Sequence, residues 1–162
     1  MNILILDDQE IIFTAPADYF VDPHDFRADN VVQVTHPMEF MNFMVNGTPD
    51  GPWGMVWLDH DLGAPGYNGR DVSKWIAETA HENEGIYDDI EFWITTMNPH
   101  ASKQMYMDID HYTNAIVHRY DMSSLRDLGI SRGGILVDKH AVLRRPSGFL
   151  INEQVTQEIH LP

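Results

Sequence analysis

Short runs of consecutive apolar residues recur along this chain, each stopping abruptly at polar or acidic positions. Ile3-Leu4-Ile5-Leu6 ends at Asp7-Asp8, and Met55-Val56-Trp57-Leu58 ends at Asp59-His60-Asp61. Val31-Val32-Gln33-Val34-Thr35 and Ile90-Glu91-Phe92-Trp93-Ile94, each with one polar residue inside an otherwise apolar run, and Ala115-Ile116-Val117-His118 are further candidates. Such runs, too short for helices and apolar on both faces, predict strands covered on both sides. Between them the period changes. Met38, Phe40, Met41, Phe43 and Met44 predict a short helix, Val72, Trp75, Ile76 and Ala80 an amphipathic one, and residues 102–111 another. Asn46-Gly47 and Thr48-Pro49-Asp50-Gly51-Pro52 mark a turn. Asp71 falls near the start of the second helix, where the helix dipole favours an anion.

Strands separated by helices predict a doubly wound, five-stranded parallel sheet with right-handed crossovers, over residues 1–120. Residues 10–30, with Pro16, Pro23 and several aspartates, read as a weak helix or irregular loop. Residues 121–162 read as an extension packing on the same domain. In it, Asp121 caps a short helix ending near Gly129, and residues 135–143 and 149–151 form a β-hairpin around Arg144-Arg145-Pro146-Ser147-Gly148.

The charge distribution narrows the possible partners. The net charge is −15, and residues 1–90 hold 17 of the 25 acids but only three of the ten Lys and Arg. An extended nucleic-acid surface is disfavoured, because such surfaces neutralise phosphates with basic side chains. A small phosphorylated ligand is still compatible if a divalent cation offsets the local field. The tail holds five of the ten basic residues, a complement to the acidic body. Cysteine is absent, which removes disulfides and thiolate chemistry. The opening MNILILDDQE reaches two acids after four apolar residues, so neither a signal peptide nor a membrane span is predicted there, and a cytoplasmic location is expected.

In open parallel sheets, ligands collect outside the carboxyl ends of the strands. Asp7, Asp8, Asp59, His60 and Asp61 should therefore converge with Thr95 to Asn98, the residues following the fourth predicted strand. Carboxylates gathered so closely repel unless a cation sits among them, and oxygen ligands suit Mg²⁺ or Mn²⁺. The expected metal ligands are Asp7, Asp8, Asp59 and Asp61, and Thr96 and Asn98 are expected to hold a phosphate.

The blocks Leu6-Asp7-Asp8, Asp59-His60-Asp61-Leu62-Gly63, Gly66-Tyr67-Asn68-Gly69-Arg70-Asp71 and Thr95-Thr96-Met97-Asn98-Pro99, with Met105, occur in this order. In this the chain resembles receiver domains of two-component signalling and, more fully, the cyclic-phosphate processing receiver domains, over about residues 1–118. The resemblance implies metal-assisted attack on a cyclic phosphate, such as a cyclic nucleotide or a cyclic-phosphate end. Two departures stand out. Thr95 occupies the place of a family histidine, and the region after the fifth strand reads His118-Arg119-Tyr120 where receivers carry a lysine. Lys103 is the nearest alternative cation.

The expected chemistry has Asp59 and His60 as catalytic residues. The cation polarises the phosphodiester and activates water while His60 protonates the leaving alkoxide, or Asp59 itself attacks. Plainer readings stand beside these. Asp8 alone fits a helix cap or solvated turn, His60 fits a buried histidine turned away, Asp61 fits a partner for His60, and Thr-Met-Asn-Pro fits an ordinary turn. At the level of function, the alternatives are a stand-alone receiver-like module phosphorylated on Asp59 and a non-catalytic phospho-ligand binder. His100-Ala101-Ser102 and His111-Tyr112-Thr113 match the H-x-[S/T] element of two-histidine phosphoesterases, but lie one helix apart rather than on separate lobes.

Overall fold

The computed structural model describes residues 2–9, 11–13, 30–47, 51–63, 66–127, 130–132 and 140–142. The predicted strands are present as β1 (Asn2–Leu6), β3 (Asn30–Val34), β4 (Met55–Leu58), β5 (Glu91–Ile94) and β6 (Ile116–Arg119). They form a parallel sheet in the order β6-β5-β4-β1-β3, the receiver-like arrangement. The chain leaves β1 to build β3 on one side and then β4 on the other. This reversal places the carboxyl ends of β1 and β4 side by side, with Leu6 opposite Leu58.

Alternation along the strands sorts the core into two halves. Leu4, Leu6, Val56 and Leu58 point to the face covered by α1 (Pro37–Asn46), α2 (Gly69–Glu82) and α3 (Pro99–Tyr112), where they meet Phe40, Phe43, Val72, Ile76, Met105 and Ile109. Ile3, Ile5, Met55 and Trp57 point to the other face. There, among the described residues, the cover comes from β2 (Ile11–Phe13), α4 (Met122–Asp127) and β7 (Ile130–Arg132), through Ile11, Leu125 and Ile130. Burying each such side chain contributes roughly 1.5–3 kcal/mol, so both halves matter to stability.

The helices start where their capping chemistry dictates. Asn68 and Asp71 form a reciprocal capping box at α2, which accounts for the acid expected there. Asn98 caps α3 by accepting from the Ala101 amide at 3.1 Å, and Pro99 takes the first helical position. Arg70 and Ser73 of α2 both reach Asp108 of α3, at 2.7 and 2.8 Å.

Two elements differ from the sequence expectation. Ile11–Phe13 lies inside the stretch read as weak helix or loop, yet it is a strand, paired antiparallel with β7. Its partner is remote in sequence, so no local pattern announces it. Residues 14–29 lie outside the described residues. Most of the expected C-terminal hairpin does so too; its described part, β8 (His140–Val142), pairs antiparallel with β3 at the sheet edge. Among the described residues, no helix is long and apolar enough to cross a membrane.

Candidate functional site

The hydrogen-bond ladder continues one residue past each strand end and fixes the site. The Asp7 amide donates to Val34 O at 3.1 Å, the Asp59 amide to Leu6 O at 2.9 Å, and the Thr95 amide to Leu58 O at 3.0 Å. Because Leu6 and Leu58 face the three helices, the next residues, Asp7 and Asp59, face the opposite side. There Asp7 is 0% and Asp59 1% exposed. Asp8 is half-buried, and one oxygen from each of Asp7, Asp8 and Asp59 lies within 4.8 Å of the others.

The loop after Asp59 is built to let a helix approach the site. Gly63 turns with φ of +64°, in the left-handed region that glycine tolerates. Gly69 then places the first turn of α2 directly on the Asp59 backbone, its amide donating to His60 O at 2.9 Å. A Cβ at Gly69 would fall 2.0 Å from Asp59 O, so only glycine fits.

Asp7 is the most fully bound of the three acids. Its Oδ1 accepts from the Gln9 amide at 2.9 Å, and its Oδ2 accepts from Trp57 Nε1 at 3.4 Å and from Arg132 Nε at 2.7 Å. Gln33, buried on β3, donates to the carbonyls of Asp7 and Gln9 and holds the turn in place. Arg132 also spans to Asp59, with Nη2 donating to Oδ2 at 2.8 Å. Asp8 Oδ1 is 3.9 Å from Nη2, beyond hydrogen-bond reach, and is a buried oxygen with no hydrogen-bond partner among the described residues.

These contacts set the electrostatics. Burial pushes the Asp59 carboxyl up to about 7; the Asp7 charge adds to the rise and Arg132 opposes it. Asp7 is raised as well, mainly by burial, with Arg132 again opposing. Arg132 is held protonated: burial works against its charge, but the neighbouring carboxylates, Asp7 foremost, more than offset this.

The remaining expected residues are distributed around this cluster. Asp61 stands apart from the three carboxylates; it is exposed and lies 2.9 Å from His60 Nδ1. His60 is mostly buried. Thr95 is fully buried, and its hydroxyl donates to Leu58 O at 3.4 Å. Thr96 is buried and accepts from the Asn98 amide at 3.2 Å, while the Asn98 side chain serves α3 as its cap. Lys103 is exposed on α3. Thr96 also lines a cleft of about 410 Å³ with Met97, Ser102, Arg119, Tyr120 and Ser124. Arg119 is anchored there, its Nε donating to Ser102 Oγ at 2.9 Å.

Arg132 is the site residue that sequence reasoning did not single out. The available signal was indirect: a basic tail beside an acidic body, and no lysine after the fifth parallel strand. Its placement depends on the β2–β7 pairing.

The donor set fits a hard divalent cation. Three carboxylates converge, and Asp8 Oδ1 is a buried acceptor that receives no hydrogen bond among the described residues. Neither a curated protein nor a solved structure matches the chain. The family profile described as cyclic-phosphate processing receiver domain matches residues 2–111, which takes in β1, the Asp59 loop, α2 and nearly all of α3. The chain belongs to the cyclic-phosphate processing receiver domain family.

Proposed function

We propose that this protein is a metal-dependent phosphoesterase acting on a small cyclic phosphate, such as a cyclic nucleotide or a cyclic-phosphate end. The observation that carries this reading is the convergence of Asp7, Asp8 and Asp59 at two adjacent strand ends, with one buried acceptor lacking a hydrogen bond among the described residues. These three side chains would hold Mg²⁺ or Mn²⁺. Such an ion supplies positive charge and Lewis acidity toward a phosphate oxygen.

The other residues have separable tasks in this reading. His60 delivers a proton to the leaving oxygen. Its contact with Asp61 through Nδ1 orients the ring and leaves Nε2 for the transfer, so Asp61 acts through His60. Thr96 and Asn98, at the start of α3, face the ligand with a hydroxyl and an amide. The neighbouring cleft, lined by Arg119 and Ser102, has the volume of a mononucleotide-sized site. Lys103 lies on the same helix and contributes long-range attraction for an anion.

The test is turnover of a panel of 2′,3′- and 3′,5′-cyclic phosphates with Mg²⁺ or Mn²⁺, by wild type and by Asp59→Asn. Turnover by wild type that Asp59→Asn abolishes is expected. Unchanged turnover in the variant would sink the assignment. If acetyl phosphate labels Asp59 while no cyclic phosphate is opened, the protein is a receiver-like signalling module instead. Tight binding without turnover identifies a phospho-ligand binder.

A further inference from the structure

Arg132 does not close its fork on a single carboxylate. Nε donates to Asp7 and Nη2 to Asp59, so the guanidinium spans the gap between the two acids and looks toward Asp8. Its side chain is 7% exposed, so the charge lies inside the cluster rather than over it. It arrives on β7, 125 positions from Asp7 along the chain and outside the residues that match the family.

Two observations, taken with two elementary properties of charged groups, bear on what this side chain does. It contacts two of the three groups that would take a divalent ion, through Asp7 Oδ2 and Asp59 Oδ2. Two cations in one gap repel strongly, even at the moderate effective dielectric of a protein interior. The fork itself, planar and permanently charged, matches a phosphate as well as it matches a pair of carboxylates. The β2–β7 ribbon is fixed independently of the ion pair, by Ile11 and Ile130 in the core. The long side chain can therefore change partner while its backbone stays in place.

Resting on the metal reading above, we propose that Arg132 is a tethered rival of the divalent cation and, once displaced, the residue that positions the substrate phosphate. Without metal it neutralises Asp7 and Asp59. With metal it gives up those oxygens and turns its fork to the anion. The site thereby couples cation binding to anion binding: phosphate finds its guanidinium partner only after the carboxylates have found another.

The experiment follows the Arg132 Nε–H signal by ¹⁵N NMR in the full chain, assigned by its loss in Arg132→Lys. Mg²⁺ is titrated first and inorganic phosphate second. The expected result is that Mg²⁺ shifts the amides of Asp7, Asp8 and Asp59 and moves the Arg132 signal away from its carboxylate-bonded position. Phosphate should move it again, and only when Mg²⁺ is present. If Mg²⁺ shifts the three aspartate amides while the Arg132 signal stays put, the inference fails and the metal reading survives. If millimolar Mg²⁺ shifts none of them, the metal reading fails and takes the inference with it.

Calorimetry on Arg132→Gln gives a second measure. Mn²⁺ should bind at least about fivefold tighter than to wild type, the lower end of ordinary coupling between two ligands. Phosphate with Mg²⁺ present should bind weaker by a similar factor. Equal or weaker Mn²⁺ binding in a folded variant overturns the rivalry. Should Arg132→Gln not fold, the wild-type NMR titration decides alone.

Discussion

Replacing Asp59 by asparagine should make the metal-free protein more stable at neutral pH while it removes the proposed function. Asp59 is 1% exposed and shares its space with Asp7 and Asp8, one oxygen from each of the three lying within 4.8 Å of the others. At an effective dielectric near 20, each repulsion at such a distance costs roughly 3–4 kcal/mol, and the guanidinium offsets about one of the two. The carboxyl titrates near 7 rather than at its ordinary 3.8, a penalty on the ionised form of about 4 kcal/mol if nothing relaxes. Asparagine lacks the charge and keeps an oxygen for Arg132. Allowing for relaxation and for an amide group without a ready partner, a gain of roughly 1–3 kcal/mol is expected, or about 3–10 °C in Tm for a chain of this size.

The sign follows from proton linkage. Between 3.8 and about 7 the folded protein keeps a proton on Asp59 that the unfolded chain has lost. Stability from this group therefore falls as pH rises through that window, and the penalty is complete above it. The variant lacks the slope that Asp59 contributes, so its advantage should be largest near about pH 8 and shrink toward about pH 4. Thermal melts in EDTA across that range, followed by tryptophan fluorescence, measure it. A variant that melts below wild type near about pH 8, or whose advantage is the same at acid pH, would refute the reasoning.

Three further outcomes are expected. Gly69→Ala forces a Cβ onto the Asp59 carbonyl, so α2 must move away; a loss of at least about 2 kcal/mol in urea unfolding should accompany weakened Mn²⁺ binding. Thr95→His, which would restore the histidine of the family motif, places a ring at a position with 0% exposure and should cost about 1–3 kcal/mol by overpacking, with no gain in turnover. Asn68→Ala removes the capping box of α2 and should cost about 1 kcal/mol in chemical denaturation, with native-like Mn²⁺ affinity by calorimetry.

Much of this molecule was legible in the sequence because its signals are local. The run Ile3 to Leu6 reads as a strand buried on both faces without reference to any other segment, and so does Met55 to Leu58. The acids that follow each run mark where the chain leaves the sheet. The switch-point rule for parallel sheets then brings Asp7 near Asp59. Asn68, Asp71 and Asn98 announce helix starts for the same reason: a cap acts within one turn of its own helix. Capping also illustrates a limit, since the sequence alone does not tell whether Asn98 serves its helix, a phosphate or both.

What the tertiary structure alone decided depends on which face a residue takes and on partners far away in the chain. The sequence showed acids at strand ends; pleating and register decided that Asp7 and Asp59 turn away from the three helices and that Asp61 stands outside, beside His60. Ile11 to Phe13 is too short to stand as a strand alone and becomes one by pairing with Ile130 to Arg132. That pairing carries Arg132 into the acidic cluster across a sequence gap of 125 residues. No periodicity or local motif encodes such a meeting. It follows from the sheet presenting two buried carboxylates on one face, where burial makes an unpaired charge costly and a matching guanidinium favourable.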